Sequence, residues 1–93
     1  QWRKAFGVGR SYSVQQTVDG GFVVTGMDGL LTTSYDIFLL KTDGQGNEQW
    51  RKTFGDGRGN SVQQTVDGGF IVTGFDDNDD VVFLLKTDKL GNI

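Results

Sequence analysis

Residues 13–22 read SVQQTVDGGF, and residues 61–70 read SVQQTVDGGF again. Outward from that identity the repetition continues. Gln1-Trp2-Arg3-Lys4 returns as Gln49-Trp50-Arg51-Lys52, and FLLKTD at 38–43 returns at 83–88. The second copy is three residues shorter in one loop, and most paired positions are identical. A period of about 45 residues is the mark of stacked supersecondary units, each unable to bury its apolar faces alone. The chain therefore divides into a first repeat, 1–48, and a second, 49–93. Copies this close point to recent duplication or to deliberate consensus construction of an engineered repeat protein.

Within one copy four strands are expected. Residues 13–18 end in Asp19-Gly20-Gly21, a hairpin signal. Residues 22–27 form the second strand and 36–42 the third, which ends in the turn-rich run Asp43-Gly44-Gln45-Gly46-Asn47. Residues 48–54 form the fourth. No stretch of useful length has helical periodicity. Ile37-Phe38-Leu39-Leu40 and Phe22-Val23-Val24 are apolar on both faces, as strands covered on two sides are. Trp50, Lys52 and Phe54 instead alternate with Gln49, Arg51 and Thr53, as a partly exposed outer strand should.

These features together describe an all-β chain: a β-propeller built from four-stranded antiparallel blades, two blades per chain. Propellers typically need about four to eight blades, so two do not close alone. Joined end to end, Gly91-Asn92-Ile93 and Gln1-Trp2 regenerate Gly46-Asn47-Glu48-Gln49-Trp50 with one substitution. Residues 1–6 then read as an outer strand without its own blade, and 61–88 as a blade lacking its outer strand. A neighbouring copy is expected to supply it, so that homo-oligomerisation closes the ring head to tail. A tetramer, giving eight blades, is favoured over a trimer; the alternative is a fragment of a longer natural chain.

With Thr17-Val18-Asp19-Gly20-Gly21-Phe22, Leu39-Leu40-Lys41-Thr42-Asp43, Gly46-Asn47 and Trp50 in view, the chain resembles the T-x-D-G-G β-propeller repeats of bacterial and archaeal surface proteins. The resemblance runs through both copies and implies an extracellular or cell-surface repeat domain, usually without assigned activity. More weakly, Asp43, Gly46-Asn47 and Trp50 are similar to the docking motif of quinoprotein-like propeller blades. The turn here is about one residue shorter and its glycine is displaced, and no cofactor is expected.

Composition limits the function. The net charge is −3, which disfavours a nucleic-acid partner, and the apolar runs are too short for membrane insertion. The chain has no histidine and no cysteine, which removes the commonest acid–base and nucleophilic devices and any disulfide framework. An enzyme is not expected. Fifteen glycines and no proline fit short strands joined by tight turns.

Candidate binding residues lie where the copies differ. In an up-and-down blade alternate connections share a face, which places the loops at 7–12, 55–60, 28–35 and 76–80 together. Val8 faces Asp56 in the alignment, Ser11 faces Gly59 and Tyr12 faces Asn60. Variable loops on a rigid scaffold are where recognition concentrates, so Arg10, Tyr12, Arg58 and Asn60 are the candidate ligand residues for a glycan or protein. Arg10 and Arg58 could ring a channel mouth and hold an anion; salt bridges to loop aspartates are the preferred reading. Asp76, Asn78 and Asp80 form the best calcium loop, an oxygen-rich run without the EF-hand glycine and glutamate. A solvated acidic loop is preferred there. Trp2 and Trp50 are expected to pack between blades rather than stack on sugars. The function expected is a self-assembling structural scaffold without catalytic activity; the alternative is a surface-displayed binding module.

Overall fold

The structure, a computed structural model, describes residues 1–7, 9–29, 35–76 and 81–93. Among the described residues there are seven strands: β1 (Gly9–Gln16), β2 (Phe22–Asp28), β3 (Asp36–Thr42), β4 (Glu48–Asp56), β5 (Arg58–Gln64), β6 (Phe70–Asp76) and β7 (Val81–Thr87). They form two antiparallel meanders, a four-stranded sheet in the order β1-β2-β3-β4 and a three-stranded sheet in the order β5-β6-β7. There is no helix among the described residues. Residues 1–6 belong to neither sheet.

The expected strands are present, with two differences at their ends. The fourth strand does not stop at 54, nor does a loop run from 55 to 60. β4 continues to Asp56, which pairs with Asp36 of β3, and β5 begins at Arg58. A single residue, Gly57, turns the corner at φ 127°, with its N–H donating to the Tyr35 carbonyl at 2.8 Å. A Cβ on Gly57 would stand 2.5 Å from the Phe75 carbonyl oxygen, so only glycine makes the corner this sharp. Likewise β1 starts at Gly9 rather than 13. Its register against β2 shifts between Ser11 and Ser13, and β5 against β6 shifts at the matching place, between Gly59 and Ser61. A bulge accommodates the extra residue while keeping both flanking segments in the ladder, which is why the strand outruns its apolar pattern.

The core lies between the sheets. Val23 and Leu39 of the first sheet meet Val62, Phe70 and Val72 of the second, all of them buried, with Trp50, Phe54, Phe83 and Leu85 packed around them. Each fully buried side chain of this size contributes about 1.5–3 kcal/mol through removal of apolar surface from water. Alternation explains the choice of residues. Val23, Thr25, Met27, Ile37 and Leu39 share one face of the first sheet, and all are buried.

Side chains also sew the sheets together along β1 and β5. The Val62 N–H donates to Ser13 Oγ at 3.3 Å, and the Gln64 N–H donates to Gln15 Oε1 at 2.6 Å. The Val18 N–H in turn donates to Gln64 Oε1 at 2.9 Å. Polar side chains of one copy thus satisfy backbone donors of the other, which would otherwise be left at a sheet edge.

Candidate functional site

The motif shared by both copies is a structural lock. Asp19 closes its hairpin by accepting from the Thr17 hydroxyl and from the Gly21 N–H at 2.9 Å. Lys41 reaches it from β3 with Nζ 3.0 Å from Oδ2. That ammonium is buried, with 5% of its side chain exposed, and it also donates to the Thr42 carbonyl at 2.8 Å and to Gln49 Oε1 at 3.0 Å. All three of its donors are matched, which is the condition for burying a charge. The Thr17 hydroxyl, the Gly21 amide and Lys41 together lower the Asp19 pKa to about 2. Asp67 of the second copy is lowered by the same groups, led by the Thr65 hydroxyl. The turn carboxylates Asp43 and Asp88 are held down chiefly by the backbone N–H groups of Asn47 and Asn92. This use of Lys41 was legible only as a lysine repeated inside an apolar strand, and sequence reasoning left it without a role.

The four candidate ligand residues are strand residues rather than loop residues. Arg10 and Tyr12 lie on β1, and Arg58 and Asn60 on β5. The Arg58 guanidinium sits over the Phe75 ring at 5.0 Å and the Tyr12 ring at 6.0 Å, a cation–π stack across the two sheets. Tyr12 also approaches the Met27 sulfur at 3.7 Å. Arg10 is exposed and lines a groove on the far side of the first sheet. The structure therefore brings Tyr12 and Arg58 together and leaves Arg10 apart from them. Arg51 of β4 also pairs with the end of β2, its Nη2 lying 3.3 Å from Asp28 Oδ2. Of the calcium candidates, Asp76 ends β6, whereas Asn78 and Asp80 lie outside the described residues. Among the described residues no group of three metal-ligating side chains converges.

What the fold does expose is a pair of outer faces made from the residues that build its core. The seam buries Leu39 completely, while Leu84, its counterpart in the second copy, is 73% exposed. Ile37 and Thr25 are buried; their counterparts Val82 and Thr73 are exposed. The other side of the seam behaves in the same way. Val62 is 6% exposed and its counterpart Val14 is 64% exposed. The outer face of the first sheet holds a groove of about 300 Å³, floored by Val24, Phe38 and Leu40 and edged by Lys4, Ser11 and Arg51.

The N-terminal segment marks how that face is used. Trp2 meets Phe22 edge-on with ring centroids 6.0 Å apart, and Trp50 meets Phe70 at a tilt with centroids 5.8 Å apart. Each indole also covers a turn glycine. A Cβ on Gly46 would stand 2.4 Å from the Trp2 ring, and one on Gly91 would stand 2.7 Å from Trp50. The Arg51 Nη1 donates to the Phe6 carbonyl at 2.7 Å. Residues 1–6 thus contact the first sheet in the way β4 contacts the second. Trp50 packs between the two sheets, whereas Trp2, 52% exposed, packs against the first sheet alone.

No family model, curated protein or solved structure matches the chain. The class that the fold defines is an all-β tandem repeat of two packed antiparallel sheets.

Proposed function

We propose that the chain is a self-assembling structural β-propeller scaffold without catalytic activity, its two sheets being consecutive blades and its partner further copies of itself. The observation that carries this reading is the pairing of exposures. The face that Leu39 and Ile37 bury at the seam is repeated, exposed, by Leu84 and Val82. The face that receives it, built on Val62 and Val72, is repeated on the opposite outer side by Val14 and Val24. One surface therefore fits the other by repeating a contact that the molecule already makes. Such a contact is heterologous, and it forms a ring when its rotation closes. Four copies give eight blades.

The open edge supports the same geometry. Lys86 is 43% exposed, against 5% for Lys41. It keeps Asp67 at 3.1 Å and the Thr87 carbonyl at 2.9 Å, but among the described residues it has no counterpart of the Gln49 acceptor. In the repeat that acceptor is Gln1. A segment 1–6 laid along β7 of another copy supplies it and places Trp2 over its own first sheet, where it already sits.

Cysteine cross-linking tests the reading, because the chain has no cysteine of its own. Leu39 pairs with Lys52 across β3 and β4, so Leu84 of one copy should face Lys4 of the next. Directly opposed strand residues have Cβ atoms about 4.5–5.5 Å apart, close enough for a disulfide after small adjustment. The Lys4→Cys, Leu84→Cys double variant should oxidise into covalent multimers ending at one discrete closed size. A product that stays at single-chain mass, or a ladder without end, contradicts ring closure.

A further inference from the structure

The seam inside the molecule and the junction between copies are not equivalent, and the difference is concentrated at one end. At the inner seam Gly59 faces Thr25. A Cβ there would stand 2.1 Å from Thr25 Oγ1 and 3.0 Å from Val72 Cγ1. Thr25 has no freedom to turn away cheaply, since its hydroxyl donates to the Phe38 carbonyl at 2.7 Å in a buried site. Glycine is thus what lets the sheets close to this distance. The first copy carries Ser11 at the matching position, and Ser11 lines the open groove. Thr25 is matched on the opposite outer face by Thr73, whose hydroxyl donates to the Phe83 carbonyl.

Two further exchanges fall beside this one. The inner seam stacks Arg58 on Phe75 and on Tyr12 of the facing sheet. At the outer faces the corresponding residues are Arg10, Met27 and Asn60, so neither ring is present. The far end of the contact is unchanged between copies, since Ser61 and Gln63 repeat the Ser13 and Gln15 acceptors, and Val14 and Gln16 repeat the Val62 and Gln64 donors.

We propose that Ser11 is a specificity-determining residue of the copy-to-copy junction: its side chain meets Thr73 of the adjoining copy and props that end open. The ring is then built from tight seams within chains alternating with looser junctions between them, and it comes apart into whole chains. This inference rests on the head-to-tail reading above and fixes where that assembly is weakest.

Subunit exchange between isotope-labelled and unlabelled assemblies, followed by native mass spectrometry, tests it. Ser11→Gly copies the inner seam and should slow exchange at least tenfold. Asn60→Tyr restores a ring beside Arg10 and should slow it as well. Both are gains in association, which a misfolded variant would not produce. Exchange of Ser11→Gly at the wild-type rate or faster, from an assembly of unchanged mass, overturns the role of Ser11 and leaves the head-to-tail reading standing. A wild-type chain that never assembles overturns both.

Discussion

Leu39 and Leu84 are one residue of the repeat in two settings, and truncating each in turn separates them. Leu39 is fully buried among Val23, Val62, Phe70 and Val72, and branched side chains on paired strands have little freedom to collapse into the space it leaves. Leu39→Ala is therefore expected to cost about 3 kcal/mol, within the range for buried leucines. For a chain of 93 residues that corresponds to a fall in Tm of roughly 15 °C. Leu84 is 73% exposed, and in the dispersed chain Leu84→Ala should leave Tm almost unchanged. In the assembly the same side chain occupies the setting of Leu39, so Leu84→Ala should shift the assembly toward single chains and lower its Tm by a comparable amount. The assay is thermal unfolding by circular dichroism across a dilution series, with mass measured on the same samples. An assembly indifferent to Leu84→Ala refutes the claim that the outer faces repeat the seam.

The lock predicts two further outcomes. Lys41→Met removes a matched, buried ammonium and strands the Thr42 carbonyl, while the exposed Gln49 amide and the largely exposed Asp19 rehydrate; denaturant unfolding should show a loss of about 2 kcal/mol. Lys86→Met should cost the dispersed chain less than half as much, and an equal loss there would contradict the burial contrast. Asp19 is held at about 2, below its ordinary 3.8, so the folded state favours its ionised form. Its contribution is present above about 3.8 and is lost as pH falls through that value toward 2. Asp67 is shifted the same way, and Asp19→Asn should flatten part of the acid slope of stability; an unaltered slope removes Asp19 from the account.

Much of the fold was legible because each turn announces itself chemically. Asp19-Gly20-Gly21 and Asp43 to Asn47 carry the carboxylate and the glycine that the hydrogen bonds of the structure require. The double-faced apolar run predicts cover on both sides, and β3 has it, with Ile37 and Leu39 buried on one face and Phe38 and Leu40 on the other, whereas the same run in β7 leaves Val82 and Leu84 exposed. Strand ends were harder to read. Arg10, Tyr12, Arg58 and Asn60 are polar or amphipathic residues in bulged strand segments, and no alternation rule places a bulge. The outer faces could not be read as a site from residues alone, because their apolar pattern is that of the core. Only the exposure of Leu84 and Val14 beside the burial of Leu39 and Val62 separates them. The Lys41 lock was hidden for a related reason: a lysine in an apolar strand signals nothing until Asp19, distant in sequence, is seen beside it.

The most direct test of the central claim is the solution mass of the unmodified chain by native mass spectrometry at micromolar concentration. The account predicts one discrete species at four times the 10.2 kDa chain mass, with three times the chain mass giving a six-bladed ring on the same principle. A folded species that remains at 10.2 kDa at every concentration contradicts it.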